Sequence, residues 1–285
     1  MMTPDTSLET LRGWIGRRET RIEQVAAAPL AALAATLDRD DASADAELPP
    51  LHHWLYFLPT APMRQLGDDG HPARGGFLPP VPLPRRMWAA GRLMFPGRLR
   101  VGATVTRRSE IADVQAKEGR SGPLVFVKLR HELGSGGELA VIEEQEIVYR
   151  GHPPAGGMPP AAGPATPDAA WQREILPDPV LLFRYSALTF NSHRIHYDRA
   201  YATGVEGYPG LVVQGPLLAT LLADLVRRNR PEARLARFDF RALRPVFEGA
   251  ALQLCGAPAP DGRSVRLWVR DAAGALCMDA DAALS

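Results

Sequence analysis

The run Tyr185–Asp198, YSALTFNSHRIHYD, gathers Asn191, His193 and His196 into one short segment, the densest group of reactive polar side chains in the chain. An imidazole can take up and give back a proton near neutral pH, which adding or removing water across a double bond requires. On residue type alone, two histidines in a turn serve equally well as partners for nearby backbone carbonyls. The following run, Val205–Pro216, VEGYPGLVVQGP, tips the balance, because Gly215 and Pro216 stand at the expected start of a helix. Unpaired backbone N–H groups at a helix start favour a partly negative oxygen, and a polarised carbonyl such as that of a thioester fits there. Removing one donor of this kind typically costs about 100-fold or more in rate. His196 is therefore the expected acid–base group and Gly215 the expected carbonyl donor.

These residues need elements to hold them. Leu217, Leu218, Leu221, Leu222, Leu225 and Val226 recur at helical spacing just after Gly215. Strand-like runs follow around Phe238, over 251–255, 265–269 and 275–280. The first half shows the same order. Leu8, Leu11, Ile15, Ile22 and Val25 form a helical pattern, and Pro29–Leu37 is a second, compact helix. Pro and Gly crowd residues 59–84, which predicts loop, and strands are expected over 101–106, 124–129 and 139–149. Between the halves, GHPPAGGMPPAAGPATP lacks side chains able to build a core. The expected division is an N-terminal half 1–150, a linker 151–176 and a catalytic C-terminal half 177–285. Pro29-Leu30-Ala31-Ala32 and Pro216-Leu217-Leu218-Ala219 each open a helix, a weak echo that agrees with the stronger match in element order. The fold expected is α+β, a double hot dog in which antiparallel sheet wraps helix twice in one chain, the joined sheets covering an edge that would otherwise invite aggregation.

Composition narrows the function classes. Lys plus Arg (33) nearly balances Asp plus Glu (32), so there is no basic footprint for nucleic acid. The start lacks a basic segment followed by an apolar run, and no stretch reaches transmembrane length, so a cytoplasmic protein without membrane attachment is expected. Cys255 and Cys277 stand apart from any zinc-ligand spacing and read as buried strand residues, and no metal centre is expected. His52-His53, beside Trp54 and Tyr56, reads as packing at the end of the first half, which has no His-rich counterpart at its own helix start and so is expected to shape an acyl pocket around a single active site.

The segment from Tyr185 to His196, with Gly210-x-x-x-Gln214-Gly215-Pro216-Leu217, resembles the hydratase-2 motif of MaoC-like (R)-specific enoyl-CoA hydratases and dehydratases. The whole chain is similar to their double hot-dog relatives, the mesaconyl-C4-CoA (3-methylfumaryl-CoA) hydratases and the mitochondrial 3-hydroxyacyl-thioester dehydratases. The segments carrying that likeness are His53-Trp54-x-Tyr56-Phe57-Leu58-Pro59, the run from Gly75 to Trp88 (GGFLPPVPLPRRMW), Asn191–Asp198 and Phe240-Arg241-Ala242-Leu243-Arg244-Pro245. The resemblance implies hydration of an acyl-CoA thioester with no cofactor beyond the CoA of the substrate, an Asp and a His holding water against the β-carbon. His196 matches that His. Asn191 stands in the place of the Asp, and His193 and Arg194 stand where the general motif has Asn and Pro. An amide can orient water but does not exchange a proton. The expectation is that His196 takes the proton from water and returns one to the α-carbon, with Asn191 positioning water and His193 a candidate second acid–base group.

The best substrate guess is mesaconyl-C4-CoA, giving citramalyl-CoA, with itaconyl-CoA hydration or 3-hydroxyacyl-thioester dehydration as alternatives. A distal carboxylate would need a cation in the pocket, and Arg184, Arg194, Arg241 and Arg244 are the candidates. Arg85-Arg86 and Arg227-Arg228 read as surface charge or as contacts to CoA phosphates. A hot-dog thioesterase or a non-catalytic acyl-CoA-binding protein is a more distant alternative. Asp224 on the second helix discriminates the thioesterase, and the simpler expectation for it is a solvated helix face with local salt bridges. A homodimer stays open.

Overall fold

The computed structural model describes residues 7–40, 47–119, 122–151, 163, 165 and 168–285. Ten antiparallel strands form one continuous sheet in two sets of five. The first set is β1 (Arg18–Gln24), β2 (Arg85–Met94), β3 (Thr104–Gly119), β4 (Gly122–Ser135) and β5 (Glu138–Arg150). The second is β6 (Trp171–Ile175), β7 (Leu235–Ala242), β8 (Leu252–Pro258), β9 (Ser264–Asp271) and β10 (Leu276–Leu284). The spatial order is β1-β3-β4-β5-β2-β7-β10-β9-β8-β6. Reading outward from the centre gives the same order in both directions, so the halves are related by a pseudo-two-fold axis at the β2–β7 seam, where Ala90 pairs with Arg241 and Met94 with Arg237. The sheet turns inward the apolar members of each alternating strand, and β4 shows the pattern with Val125, Val127, Leu129, His131 and Leu133 all buried on one face. This is the expected double hot dog.

Five helices accompany the sheet: α1 (Leu8–Arg12), α2 (Ala27–Thr36), α3 (Pro179–Leu188), α4 (Arg199–Gly204) and α5 (Gly215–Asn229). The long α5 lies across the second half with Leu217 through Val226 buried, Asp224 included. The internal match is different from the one the Pro-Leu echo suggested. The counterpart of α2 is α3, not α5: both helices have ten residues, both follow an edge strand, and both are followed after one residue by a left-handed residue, Asp38 (φ 55°) and Phe190 (φ 49°). Position 39 is thus equivalent to position 191, so Arg39 stands where the second half has Asn191. Among the described residues no counterpart of α5 covers the first half. Its sheet is covered by the Pro/Gly-rich stretch itself, with Phe77, Leu78, Val81 and Leu83 packed against Ile111, Val127 and Tyr149.

Three further expectations change. The helical pattern from Leu8 to Val25 breaks after α1, and Ile22 lies in β1, an edge strand whose charged residues alternate with Thr, Ile and Gln. The sequence assigned as linker is largely outside the described residues, and its end, Trp171–Ile175, is strand β6 paired with β8. His53 does pack at the end of the first half, but as part of a polar network: Glu143, buried, accepts from His53 Nε2 (2.9 Å), Trp54 Nε1 (2.9 Å) and Gln145 Nε2 (2.8 Å). Burial alone would raise the Glu143 pKa; the hydrogen bond and charge of His53 outweigh it and hold the carboxyl at about 2. Cys255 and Cys277 are buried on β8 and β10, as expected. Among the described residues no helix is long and apolar enough to cross a membrane.

Candidate active site

Asp178 caps α3 through Leu181 N (2.7 Å) and Pro179 fills its first position, a sharp start that fixes where the helix must end. Past its end, Phe190 turns the chain, Asn191 N donates to Ser186 O (2.8 Å), and the segment runs into a single 3-10 turn, Arg194–His196. Buried Gln214, the residue capping α5, donates from Nε2 to Leu182 O and Ser186 Oγ (both 3.0 Å), locking α3 to the start of α5. The 3-10 turn is clamped to the strand-like segment before α5: Val212 N donates to Ile195 O (2.9 Å), and Val212 O lies 2.7 Å from His196 Nδ1. A carbonyl only accepts, so Nδ1 carries the proton and Nε2 keeps a lone pair. Burial pushes the His196 pKa down to about 4, so the ring is neutral at physiological pH. A fixed, uncharged imidazole with a free Nε2 is equipped as a base.

Asn191 Oδ1 accepts from His193 N (3.1 Å), closing a local turn and leaving its second lone pair and its NH₂ for other partners. His193 lies against two other rings: it is perpendicular to His196 (centroids 5.3 Å, interplanar angle 87°) and tilted over His71 (4.0 Å, 39°). Burial, then the neighbouring His71 and His196, hold His193 well below the usual imidazole range.

His71 and Asp69 come from the other half, in the Pro/Gly-rich cover, and sequence reasoning passed over them as loop. Asp69 Oδ1 accepts from His71 N and Oδ2 from His71 Nδ1, both at 2.9 Å. The loop is docked on the motif by backbone: Arg194 N donates to Asp69 O (2.9 Å), Arg194 Nη1 to Asp68 O (3.1 Å) and Ser192 Oγ to Gly70 O. Burial opposes ionisation of Asp69, but the His71 hydrogen bonds outweigh it and hold the carboxyl below its ordinary range. Burial, then the charge of Arg86, lowers His71 to about 4. The signal available in the sequence was Asp-Gly-His in Gly67–Pro72, a carboxylate and an imidazole two residues apart across a turn. Ligand atoms of Asp69, His71 and His193 all lie within 4.8 Å of one another, a spacing that also suits a metal ion.

Gly215 is the first residue of α5, with Trp88 O 3.8 Å from where its Cβ would be. Among the described residues no hydrogen bond takes up its N–H. Trp88, Trp54 and Phe240 form an aromatic wall (Trp54–Trp88 centroids 4.9 Å, Trp88–Phe240 5.7 Å) at the β2–β7 seam.

Of the four arginines singled out from the sequence, Arg194 borders this cluster through its bonds to Asp68 O and Asp69 O, whereas among the described residues Arg184, Arg241 and Arg244 show no bond to it. Arg184 is exposed on α3, Arg241 is exposed on β7, Arg244 faces Asp271 (3.6 Å), and Arg194 pairs with Asp198 (2.7 Å) and stacks on Tyr201 (4.2 Å). Of the four arginines expected as surface charge or as contacts to CoA phosphates, Arg85 and Arg86 are nearby. Arg85 is buried, paired with Glu206 (2.7 Å) and laid over Tyr208 (4.7 Å). Arg86 is half-buried, opposite buried Tyr149 across β2 and β5, and its charge reaches His71 and His193. Asp224 is also not solvated: it is 1% exposed and its carboxylate accepts from Arg39 (2.9 Å), Arg173 (3.0 Å) and Arg228 (2.6 Å). A carboxylate held by three guanidinium groups is a poor nucleophile or base, which removes the feature that favoured a thioesterase. A separate cavity of about 380 Å³ opens towards the other end of α5, lined by His53, Phe95, Arg98 and Arg227 among others; none of Asp69, His71, His193 or His196 reaches it.

Known proteins resemble this chain in sequence and in fold. The family model for hydroxyacyl-thioester dehydratase type 2 matches residues 51–248. The chain is 47% identical over 268 residues (92% of this chain, 94% of the relative) to mesaconyl-C(4)-CoA hydratase of Chloroflexus aurantiacus. It is 30% identical over 233 residues (73% and 77%) to the mitochondrial hydroxyacyl-thioester dehydratase type 2 of Schizosaccharomyces pombe. Among solved structures, HtdX of Mycobacterium tuberculosis shares the fold at TM-score 0.67 and 20% identity, over 93% of this chain and 99% of that one. A second M. tuberculosis protein, described as having a double hotdog fold, matches at TM-score 0.57 and 16% identity over 95% and 96%.

Proposed function

Because the chain belongs to the hydroxyacyl-thioester dehydratase type 2 family and is a hydro-lyase of acyl thioesters, we propose that it adds water reversibly across the C2–C3 double bond of mesaconyl-C4-CoA, giving citramalyl-CoA, with His196 as the base. The observation that carries this reading is the pairing of a fixed, neutral His196 with the open N-terminus of α5. The thioester carbonyl is received at Gly215 N–H, where the helix dipole favours the charge it gains. As the water oxygen bonds to C3, the π pair moves to the carbonyl oxygen and the water's proton moves to His196 Nε2. The same proton then passes to C2 as the carbonyl re-forms, so the elements of water are added and the imidazole returns to its starting state. No cofactor is needed apart from the CoA of the substrate. The methyl-branched five-carbon diacid is favoured over other acyl groups by the 47% identity to the Chloroflexus enzyme and by Arg86, a cation beside the histidines that suits a distal carboxylate.

The test is to incubate the protein with mesaconyl-C4-CoA and with a medium-chain trans-2-enoyl-CoA, following loss of enoyl-thioester absorbance while titrating free thiol. Absorbance loss without thiol release, faster for mesaconyl-C4-CoA, is expected. Faster loss with the medium-chain substrate would move the substrate to the 3-hydroxyacyl class, and thiol release would overturn the hydratase reading.

A further inference from the structure

In the motif this chain resembles, a carboxylate and an imidazole together hold the attacking water, yet Asn191, an amide, stands in the carboxylate's place and its side-chain oxygen already accepts from His193 N. A water held by His196 alone could rotate about that one hydrogen bond, so a second acceptor is needed to aim its lone pair at C3. The motif's own half offers His193, but the group with a built-in orienting partner is on the other side of the seam. Asp69 Oδ1 is occupied by the backbone N–H of His71, and Oδ2 faces His71 Nδ1 at 2.9 Å. A carboxylate oxygen only accepts, so Nδ1 of a neutral His71 must carry its proton and Nε2 must be the acceptor. The charged and titratable groups around this ring are Asp69, His193, Arg74 and Arg86, and the docked backbone of 192–194 fixes its distance from the motif.

We propose that His71, its tautomer set by Asp69, is the second group that holds the attacking water, so that the first half supplies the acceptor missing from the hydratase motif of the second. Resting on the hydratase reading above, it leaves the proton balance unchanged. His196 takes one proton from water and returns it to C2, while the other O–H stays intact, points at His71 Nε2 throughout and ends as the hydroxyl of the product.

Asp69→Asn is the informative substitution because of which oxygen is free. With Oδ1 retained on His71 N, the new amide NH₂ faces Nδ1 and must donate, which drives the proton of His71 to Nε2 and turns an acceptor into a donor. The shape is kept and the chemistry reversed. The measurements are kcat and KM of wild type, Asp69→Asn, His71→Ala and His71→Gln with the faster enoyl-CoA, alongside ¹⁵N NMR of the histidine tautomers and circular dichroism as a check on folding. Expected are a fall in kcat of about 100-fold for Asp69→Asn and His71→Ala with KM within a few-fold, an altered His71 tautomer in Asp69→Asn, and partial recovery in His71→Gln, whose amide oxygen still accepts. Folded His71→Ala and Asp69→Asn proteins with wild-type kcat would overturn this inference and leave the hydratase standing. A wild type that hydrates neither substrate would overturn the reading beneath it. Loss of wild-type activity in EDTA, restored by Zn²⁺, would assign Asp69, His71 and His193 to a metal and overturn the inference as well.

Discussion

Gly70 lies where the two halves of the candidate site meet, and replacing it with alanine tests that junction. Its φ is +85°, and a Cβ there would fall against the carbonyl oxygen of Ser192, well inside the 3.0 Å that real Cβ atoms keep. The obstacle is backbone, so the loop must back away from the motif by on the order of 1 Å, a displacement that can cost about 100-fold in rate even when the chemical groups are untouched. The left-handed conformation adds about 1–2 kcal/mol for an L-residue. For 285 residues, at about 2.1 cal/mol/K per residue the unfolding entropy is about 0.6 kcal/mol/K, so a total near 2 kcal/mol lowers Tm by only about 3–4 °C. Gly70→Ala is therefore expected to remain folded at 25 °C and to lose about 100-fold in kcat, measured by enoyl-thioester absorbance, while thermal unfolding moves a few degrees. Gly76→Ala, where a Cβ meets open space, is the control and should change neither. A Gly70→Ala protein with wild-type kcat would refute the idea that this loop positions the chemistry.

Stability should fall in mild acid. His52, His71 and His196 are each held near pKa 4 by burial, against 6.5 unfolded. Between those values the unfolded chain binds more protons than the folded one, so their contribution is fully present above about pH 6.5 and is lost as pH falls towards 4, by up to about 3 kcal/mol for each group at about 1.4 kcal/mol per pKa unit. Urea titrations at pH 7.5 and 5 measure it, and equal midpoints would contradict it. Arg86→Met should raise KM for mesaconyl-C4-CoA at least 10-fold while leaving a medium-chain enoyl-CoA nearly unaffected; an equal change for both substrates in steady-state kinetics would remove the carboxylate role. Asp224→Asn leaves Arg39, Arg173 and Arg228 crowded without their shared anion, and because those guanidiniums are partly solvated the loss should be about 2–4 kcal/mol. Denaturant unfolding checks that figure, and kcat of the folded fraction should stay at the wild-type value.

What could be read from the residues was whatever depends on local pattern. Strands β3–β5 and β7–β10 and helix α5 show in the periodicity of the residues, and the candidates His196 and Gly215 stand before and at a helix start in the sequence as in the structure. What failed depends on distant partners. Strand β1 is an edge strand with charges along its length, so its sequence lacks the apolar alternation that marks a half-buried strand, and Ile22 was absorbed into a helical pattern. By residue type Asp224 reads as a solvated helix face with local salt bridges, of which Arg228 is one, and Arg85 as surface charge or a CoA contact, because Arg39 and Arg173 for the one and Glu206 for the other are far away in the chain. Asp69 and His71 sit in a stretch whose Pro and Gly content reads correctly as loop. A loop, however, can be docked, and docking is decided by Arg194 and Ser192 of the other half. The Pro-Leu echo misled because Ala/Leu helices resemble one another, whereas the matching left-handed residues Asp38 and Phe190 become visible only in dihedral angles.

The equivalence of positions 39 and 191 has a consequence for symmetry. Two identical subunits assembled about a two-fold axis share one sequence, so whatever residue serves one side of the axis is imposed on the other. Here the two sides are separate stretches of the same chain. Position 39 is an arginine that neutralises the central helix's carboxylate, and position 191 is an asparagine that closes the turn before the candidate base His196. Covalent connection also makes their meeting independent of concentration. An active site shared between subunits is lost when a dimer dissociates on dilution, whereas one shared between tethered halves persists at any enzyme concentration.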